Sequence, residues 1–403
     1  MQLVEEPMQL SSLLQRFAEP ETLKMAKLGR ELRAKGIDVI DLSLGEPDFD
    51  TPQHIKEAAK KAIDENWSHY PPVAGYPDLR EAICTKLKRD NKLEYKPENI
   101  VVSTGAKQSL ANIILSVVDE GDEVIIPAPF WVTYSELVKI AGGVPVIIRT
   151  SIKNEYKISA SQLKDYITEK TKLFLFSSPC NPSGSVYTKQ ELEELAEVFS
   201  AHPNIFIISD EIYEYINFVG DHESIAQFDS IKDQVIIVNG LSKGFAMTGY
   251  RLGYIAANPT VAKACEKIQG QFTSGANAVT QRAGIVALTS DLRPTMEMTK
   301  EFTRRRERIL QLVNEIPHCE CAVPDGAFYV FPNLSYYFGK RNGESVIENA
   351  DDLCMYLLND AHVSTVTGRA FGEPTCIRIS FANSMQKIDE GMKRIKEALA
   401  KLK

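Results

Sequence analysis

The chain has 403 residues, 44% of them hydrophobic and 25% charged, which is enough apolar material for two or three packed domains and excludes bulk disorder. Lysine and arginine total 46 against 54 acidic residues, a net charge of −8 that gives no overall attraction to nucleic acid or anionic lipid. Seven scattered cysteines without paired spacing predict neither a disulfide framework nor a structural metal site. The acidic opening Met-Gln-Leu-Val-Glu-Glu is the reverse of a basic secretory signal, and no stretch reaches 18 uninterrupted apolar residues. A cytoplasmic, reduced protein is expected.

In chain order, Glu21 to Lys35 reads as a helix stopped by Gly36, and Ile37 to Leu44 as a strand. The turn-rich Gly45–Pro52 follows, and Thr51-Pro52 opens a helix through Ile63. From residue 100 the pattern alternates. Runs at 100–102, 123–126, 173–176, 205–208 and 235–238 are apolar at every position but the leading Glu123, with helical segments such as Ala106–Val118 between several of them. Such runs indicate strands buried on both faces of a mostly parallel sheet. Beyond about 290 come a charged helix (Met296–Glu315), the run Gly326–Phe331 and a terminal helix, the texture of an α+β unit with hairpins. The expected division is 1–52 as an N-terminal arm and part of a small domain, 53–290 as a large α/β domain, and 291–403 as the rest of the small domain.

Ligands of open α/β sheets bind beyond the carboxyl ends of the strands. Four strand ends here carry polar residues. Ser103-Thr-Gly-Ala-Lys107 is a strand-to-helix turn that either cradles an anion or is an ordinary connection. Asn181-Pro-Ser-Gly184 places an amide at the edge. Asp210, directly after apolar residues and with Tyr213 a turn later, is either a helix cap or a buried acid needing a cation. Lys243 follows a buried strand, where an amine of lowered pKa can act as a nucleophile. A buried acid, an amine, a phenol, an amide and an anion cradle together match the needs of pyridoxal phosphate.

The segment Gly240-Leu-Ser-Lys-Gly-Phe-Ala-Met-Thr-Gly-Tyr-Arg-Leu-Gly253 resembles the pyridoxal-lysine signature of class I aminotransferases of fold type I. Ser209–Tyr213, Asn181–Gly184, Leu44–Phe49 and Arg378–Ala382 resemble further blocks of that family in the same order, within the subgroup containing many bacterial aspartate aminotransferases. The resemblance implies a large domain with a mostly parallel seven-stranded sheet flanked by helices, and a homodimer with shared sites. It implies Lys243 as Schiff-base lysine and proton shuttle, Asp210 on the pyridine nitrogen, and Tyr213 and Asn181 on the ring's phenolic oxygen. Trp131 would stack on the ring. Gly105 and Ala106 backbone N–H groups, Ser242 and Arg251 would hold the phosphate, reached by Tyr70 from the second subunit. Arg378 would clamp the substrate α-carboxylate, assisted by Asn181 and the Gly45 backbone.

For the substrate, the resemblance assigns Lys107 and Thr22 to a distal carboxylate. The implied reaction moves the amino group of L-aspartate to 2-oxoglutarate, with prephenate, aromatic amino acids or β-elimination as alternatives. Pro129 and Pro182 match positions often cis in the family. Glu21 beside Thr22, and Thr367-Gly368 where Pro-Gly is common, depart from the family pattern, and Cys180 is expected to be a packed thiol.

Overall fold

A computed structural model describes residues 10–19 and 21–403, without the side chains of Thr22 and Leu23. The chain begins with α1 (Glu21–Ala34), closed at Gly36 with φ 83°, and a short strand β1 (Ile40–Asp41). The strand expected over 37–44 shrinks to two residues because its partner is equally short and the backbone then turns into the site. Helix α2 (Gln53–Asp64) starts one residue after Pro52, followed by α3 (Pro77–Asn91). The alternating region then runs β2 (Ile100–Ser103), α4 (Ala106–Val117), β3 (Glu123–Ala128), α5 (Thr133–Ile140) and β4 (Val144–Arg149). It continues with α6 (Ala160–Tyr166), β5 (Thr171–Ser177), α7 (Lys189–Ser200), β6 (Phe206–Asp210), β7 (Val235–Gly240) and β8 (Gly253–Ala256). Helices α8 (Pro259–Phe272), α9 (Ala278–Thr289) and the long α10 (Arg293–Asn314) follow.

Strands β2 to β8 form one seven-stranded sheet in the order β2-β8-β7-β6-β5-β3-β4. All neighbours are parallel except those of β8, which is antiparallel to both β2 and β7. The apolar runs alternate between two cores. Val102, Ile125, Phe174, Ile207 and Ile237 enter one face, while Val101, Val124, Leu173, Ile208 and Val238 enter the other. Period-two side-chain direction therefore explains why these strands are apolar at every position.

The remaining elements are β9 (Tyr329–Val330), the hairpin β10 (Arg341–Asn342) and β11 (Ser345–Val346), α11 (Ala350–Asp360), β12 (Val363–Ser364), β13 (Val366–Thr367), β14 (Ile377–Ser380) and α12 (Met385–Leu399). Strand β1 pairs in parallel with β12, and β13-β14-β9 form an antiparallel sheet. A separate core holds Leu42 from the start of the chain with Phe302, Val330, Leu357, Ile379 and Ile395 from its end.

Within the large domain, β8 lies close against the start of α4. A Cβ on Gly253 would lie 2.2 Å from the Ala106 nitrogen, so only glycine lets the strand and the helix start approach this closely. Gly253→Ala should therefore cost about 1–3 kcal/mol in chemical denaturation, the usual cost of overpacking. It should also weaken anion binding at the α4 start, measurable by titration with inorganic phosphate.

Candidate active site

The carboxyl edge of the parallel strands opens into a cleft of about 390 Å³. Strand β6 delivers Asp210, the turn after β7 delivers Ser242 and Lys243, and the turn after β5 delivers Asn181. Because β8 runs antiparallel, its beginning lies at the same edge, and Arg251 just before it also lines the cleft. Arg378 comes from β14 and Gly45 from the turn after β1, so the second core closes the opposite wall. Among the cleft-lining residues, four cationic side chains (Lys107, Lys243, Arg251, Arg378) face two carboxylates (Glu46, Asp210), which makes the cleft a site for anions.

Asp210 is buried at 3% exposure. One carboxylate oxygen accepts from the Tyr134 hydroxyl at 2.6 Å and the other from the Ile212 N–H at 3.2 Å. Burial pushes its pKa up to about 6, with Tyr134 and the Ile212 N–H opposing the rise. Lys243 donates to the Gly45 carbonyl. Burial, with the nearby Arg378 charge adding to it, brings the Lys243 amine down to about 8, far below an ordinary lysine.

Arg378 is 2% exposed and donates to Asn181 Oδ1 at 2.9 Å and to the Ser43 carbonyl at 2.6 Å. Its guanidinium carbon stands 4.4 Å from the Tyr329 ring centre, and its Nε has no partner among the described residues. A buried cation held only by neutral oxygens is incompletely compensated, and a ligand carboxylate supplies what is missing. Tyr213 and Tyr329 share a hydroxyl–hydroxyl bond of 2.7 Å at the same wall.

At the start of α4, Gly105 has φ 84° and its side-chain position is closed by Arg251, whose Nη2 would lie 2.4 Å from a Cβ. The Gly105 N–H is engaged by the Ser103 carbonyl at 2.7 Å, whereas no backbone acceptor meets the Ala106 N–H among the described residues. The anion cradle expected from two N–H groups therefore rests on Ala106, with Ser242 and Arg251 beside it. Thr248 joins this wall, its hydroxyl donating to Glu46 at 2.8 Å.

Lys107 also lines the cleft, its amine 5.0 Å from the Trp131 ring centre. Burial first, and then Arg251, hold its pKa below the lysine range. Thr22 falls in α1, but its side chain lies outside the described residues. Glu21 is directed to Arg369 at 3.7 Å and Lys24 at 3.5 Å and does not line the cleft. Thr367 accepts from the Arg369 N–H at 3.3 Å, and Cys180 is buried with its thiol 3.5 Å from the Pro129 carbonyl. Tyr70 lies outside the cleft at 94% exposure. The peptide bonds before Pro129, Pro179 and Pro182 are cis.

Tyr134, Tyr329, Glu46 and Thr248 are site residues that the sequence did not single out. Tyr134 stands in the apolar Phe-Trp-Val-Thr-Tyr stretch and reads as core. Its partner Asp210 is 76 residues away, so no local spacing marks the pair. The nearest signal is a phenol at the start of a helix that follows a strand of the same sheet.

The family description "Aminotransferase class I and II" matches residues 37–395. An aspartate aminotransferase of Bacillus sp. (strain YM-2) is 43% identical over 388 residues, covering 96% of this chain and 98% of that protein. A Petunia hybrida protein named bifunctional aspartate aminotransferase and glutamate/aspartate-prephenate aminotransferase is 44% identical over 410 residues, covering 100% of this chain and 85% of its own. Among solved structures, the aspartate aminotransferase from Rhizobium meliloti superposes with a TM-score of 0.95 at 38% identity, over 98% of this chain and 100% of that one. The fold and cleft are those of a pyridoxal-phosphate-dependent transferase. The chain belongs to the class I and II aminotransferases.

Two expectations follow from the geometry. In the cofactor-free protein, labelling of Lys243 by an amine-directed aldehyde should rise through about pH 8 and level off above it, because the neutral amine predominates there. Tyr134→Phe removes a hydrogen bond that favours the charged acid, so the Asp210 carboxyl should titrate above its present value of about 6, measurable by difference infrared spectroscopy.

Proposed function

We propose that the chain transfers the amino group of L-aspartate to 2-oxoglutarate, giving oxaloacetate and L-glutamate. The observation that carries this reading is Lys107, a solvent-accessible cation that lines the cleft and has no carboxylate partner among the described residues. With Arg378 it provides two separate cations for the two carboxylates of a dicarboxylic amino acid. The names of the relatives agree with this substrate class.

The residues suit pyridoxal phosphate on the geometry above: a buried acid, a half-buried amine of lowered pKa and, at a helix start, an N–H without a backbone acceptor among the described residues. When bound, that group supplies an electron sink for the carbanion formed at the amino-acid Cα. Asp210 would hold the proton on the ring nitrogen, and Tyr213 and Asn181 would bond its phenolic oxygen. Trp131 would cover the ring face, while the Ala106 N–H, Ser242 and Arg251 would hold the phosphate, Gly105 leaving room for its approach. Lys243 would anchor the group and then, once displaced by substrate, take the proton from Cα. Arg378, Asn181 and the Gly45 carbonyl would orient the α-carboxylate and amine.

The small unit of residues 1–52 and 291–403 would close over substrate against the large domain of 53–290. A homodimer is part of the same reading. Tyr70 is 94% and Phe272 68% exposed, and the chain segments beside them are in contact through Gly275 and Pro71. Tyr70 of a second copy would reach the phosphate. A cytoplasmic setting is proposed as well, no described helix being long and apolar enough to cross a membrane. Prephenate is the second reading, because it too presents two carboxylates to Lys107 and Arg378.

Mixing the cofactor-loaded protein with excess L-aspartate and no acceptor should exchange its visible absorption band for the near-ultraviolet band of the aminated cofactor, with one oxaloacetate released per site. An unchanged band would refute aspartate as donor. Lys107→Ala should raise KM at least tenfold for aspartate and leave that for alanine little changed, consistent with loss of one charge-assisted contact worth about 1.5–3 kcal/mol. Lys243→Ala should abolish turnover while cofactor still binds.

A further inference from the structure

Behind the cleft, on the far side of β6, lies a buried charged layer that the proposed chemistry does not use. Side chains alternate along a strand, so Asp210 faces the cleft while Ser209 and Glu211 point away from it. Glu211 is wholly buried. One of its oxygens accepts from the Ser209 hydroxyl at 2.9 Å and the Ser224 hydroxyl at 2.6 Å. Its other oxygen stands 3.2 Å from His222 Nε2, within ion-pair distance. One turn further on, Glu214 is paired with Lys86 and accepts from Asn91 Nδ2 at 3.0 Å.

The charges of this layer can be counted. Glu211 and Glu214 carry two negative charges, and Lys86 compensates one of them. The layer is neutral only when His222 is protonated. Toward solvent, His222 also borders a cavity lined by Glu94, Asp221, Glu223, Asp229, Lys92, Lys189 and Lys232, whose excess of carboxylates favours the imidazolium as well. Asp90 on α3 is paired with Arg89 and accepts from Tyr215, while Tyr95 ahead of β2 and Tyr254 on β8 are neutral phenols whose ionisation burial suppresses.

We propose that Glu211 holds His222 as an imidazolium and that this pair, by cancelling the Glu211 charge beside Asp210, keeps Asp210 ionised for the cofactor. His222 is thus a positioning residue that touches neither substrate nor cofactor and acts through Glu211. Without its partner, Glu211 would be a buried negative charge next in sequence to Asp210, and like charges at that range disfavour ionisation. Burial alone would lower the His222 pKa, but the Glu211 charge outweighs it and holds the imidazole above its ordinary range. Burial likewise opposes the Glu211 carboxylate, and His222 with the two hydroxyls holds it below the ordinary range. The signs are consistent. The histidine's contribution is lost as pH rises through its raised value, and the glutamate's as pH falls through its lowered one, so the pair is strongest between them.

This inference rests on the reading of Asp210 as the cofactor's acid, and the test separates the two. Histidine side-chain 1H–15N spectra of the cofactor-loaded protein, with His222→Gln identifying the signal, should show His222 as an imidazolium at pH 7 to 8. A neutral ring at pH 7 overturns the proposal, and the protonation state is read in the native protein once the variant has identified the signal. In His222→Gln the pH midpoint of the cofactor's visible band should move up by roughly one unit, as expected for an added like charge. The double variant Glu211→Gln/His222→Gln, which removes both charges, should return it to the native midpoint. A shift that persists in the double variant would show a packing effect and overturn the electrostatic role. Asp210→Asn serves as the control. If it leaves the band's pH dependence unchanged, the Asp210 reading fails. If Asp210→Asn alters the band and His222→Gln does not, only the role of His222 fails.

Discussion

Arg378 is nearly sealed from solvent, yet among the described residues its guanidinium meets only an amide oxygen, a carbonyl oxygen and two aromatic faces. Removing a full charge from water costs several kcal/mol unless an opposite charge replaces the lost solvation. The rest of the cleft is organised around this deficit. Ser43 and Gly45 come from a backbone that leaves its strand after two residues, and their carbonyls face Arg378 and Lys243. The Arg378 charge also helps depress the Lys243 pKa, so a substrate carboxylate that neutralises Arg378 changes the proton affinity of the amine beside it.

Asp210 and Lys243 show the same principle with opposite signs. Both are desolvated, and in each case burial favours the neutral form. Their pKa values are thereby drawn from the ordinary carboxylate and amine ranges to about 6 and about 8. An acid and a base poised on either side of neutrality suit a reaction made of proton transfers. Tyr134 on the cleft side of Asp210, and the Glu211–His222 contact behind it, set how far that acid is drawn.

The sheet makes this convergence economical. Parallel strands β5, β6 and β7 end at one edge and bring Ser177, Asp210 and the Ser242-Lys243 turn together. The reversed strand β8 adds Arg251 to that edge because it starts where its neighbours finish. Gly253 and Gly105 let strand, helix start and guanidinium approach within distances that a side chain would prevent.

The sequence by itself determined the buried strands, because a strand covered on both faces must be apolar at every position. Local motifs at strand ends or within a strand singled out Lys243, Asp210, Tyr213, Asn181 and Arg378, and the fold brings all five into one cleft. Tertiary structure alone decided which partner each of these meets. Tyr134 reaches Asp210 across 76 residues, Asn181 reaches Arg378 across 197, and Tyr213 reaches Tyr329 across 116. It also decided that β8 runs against its neighbours and that the Gly105 N–H is spent on Ser103. Local pattern reports periodicity and residue chemistry. Burial, and the pKa shifts that follow from it, depend on what the rest of the chain packs against each group, and no short window of sequence contains that information.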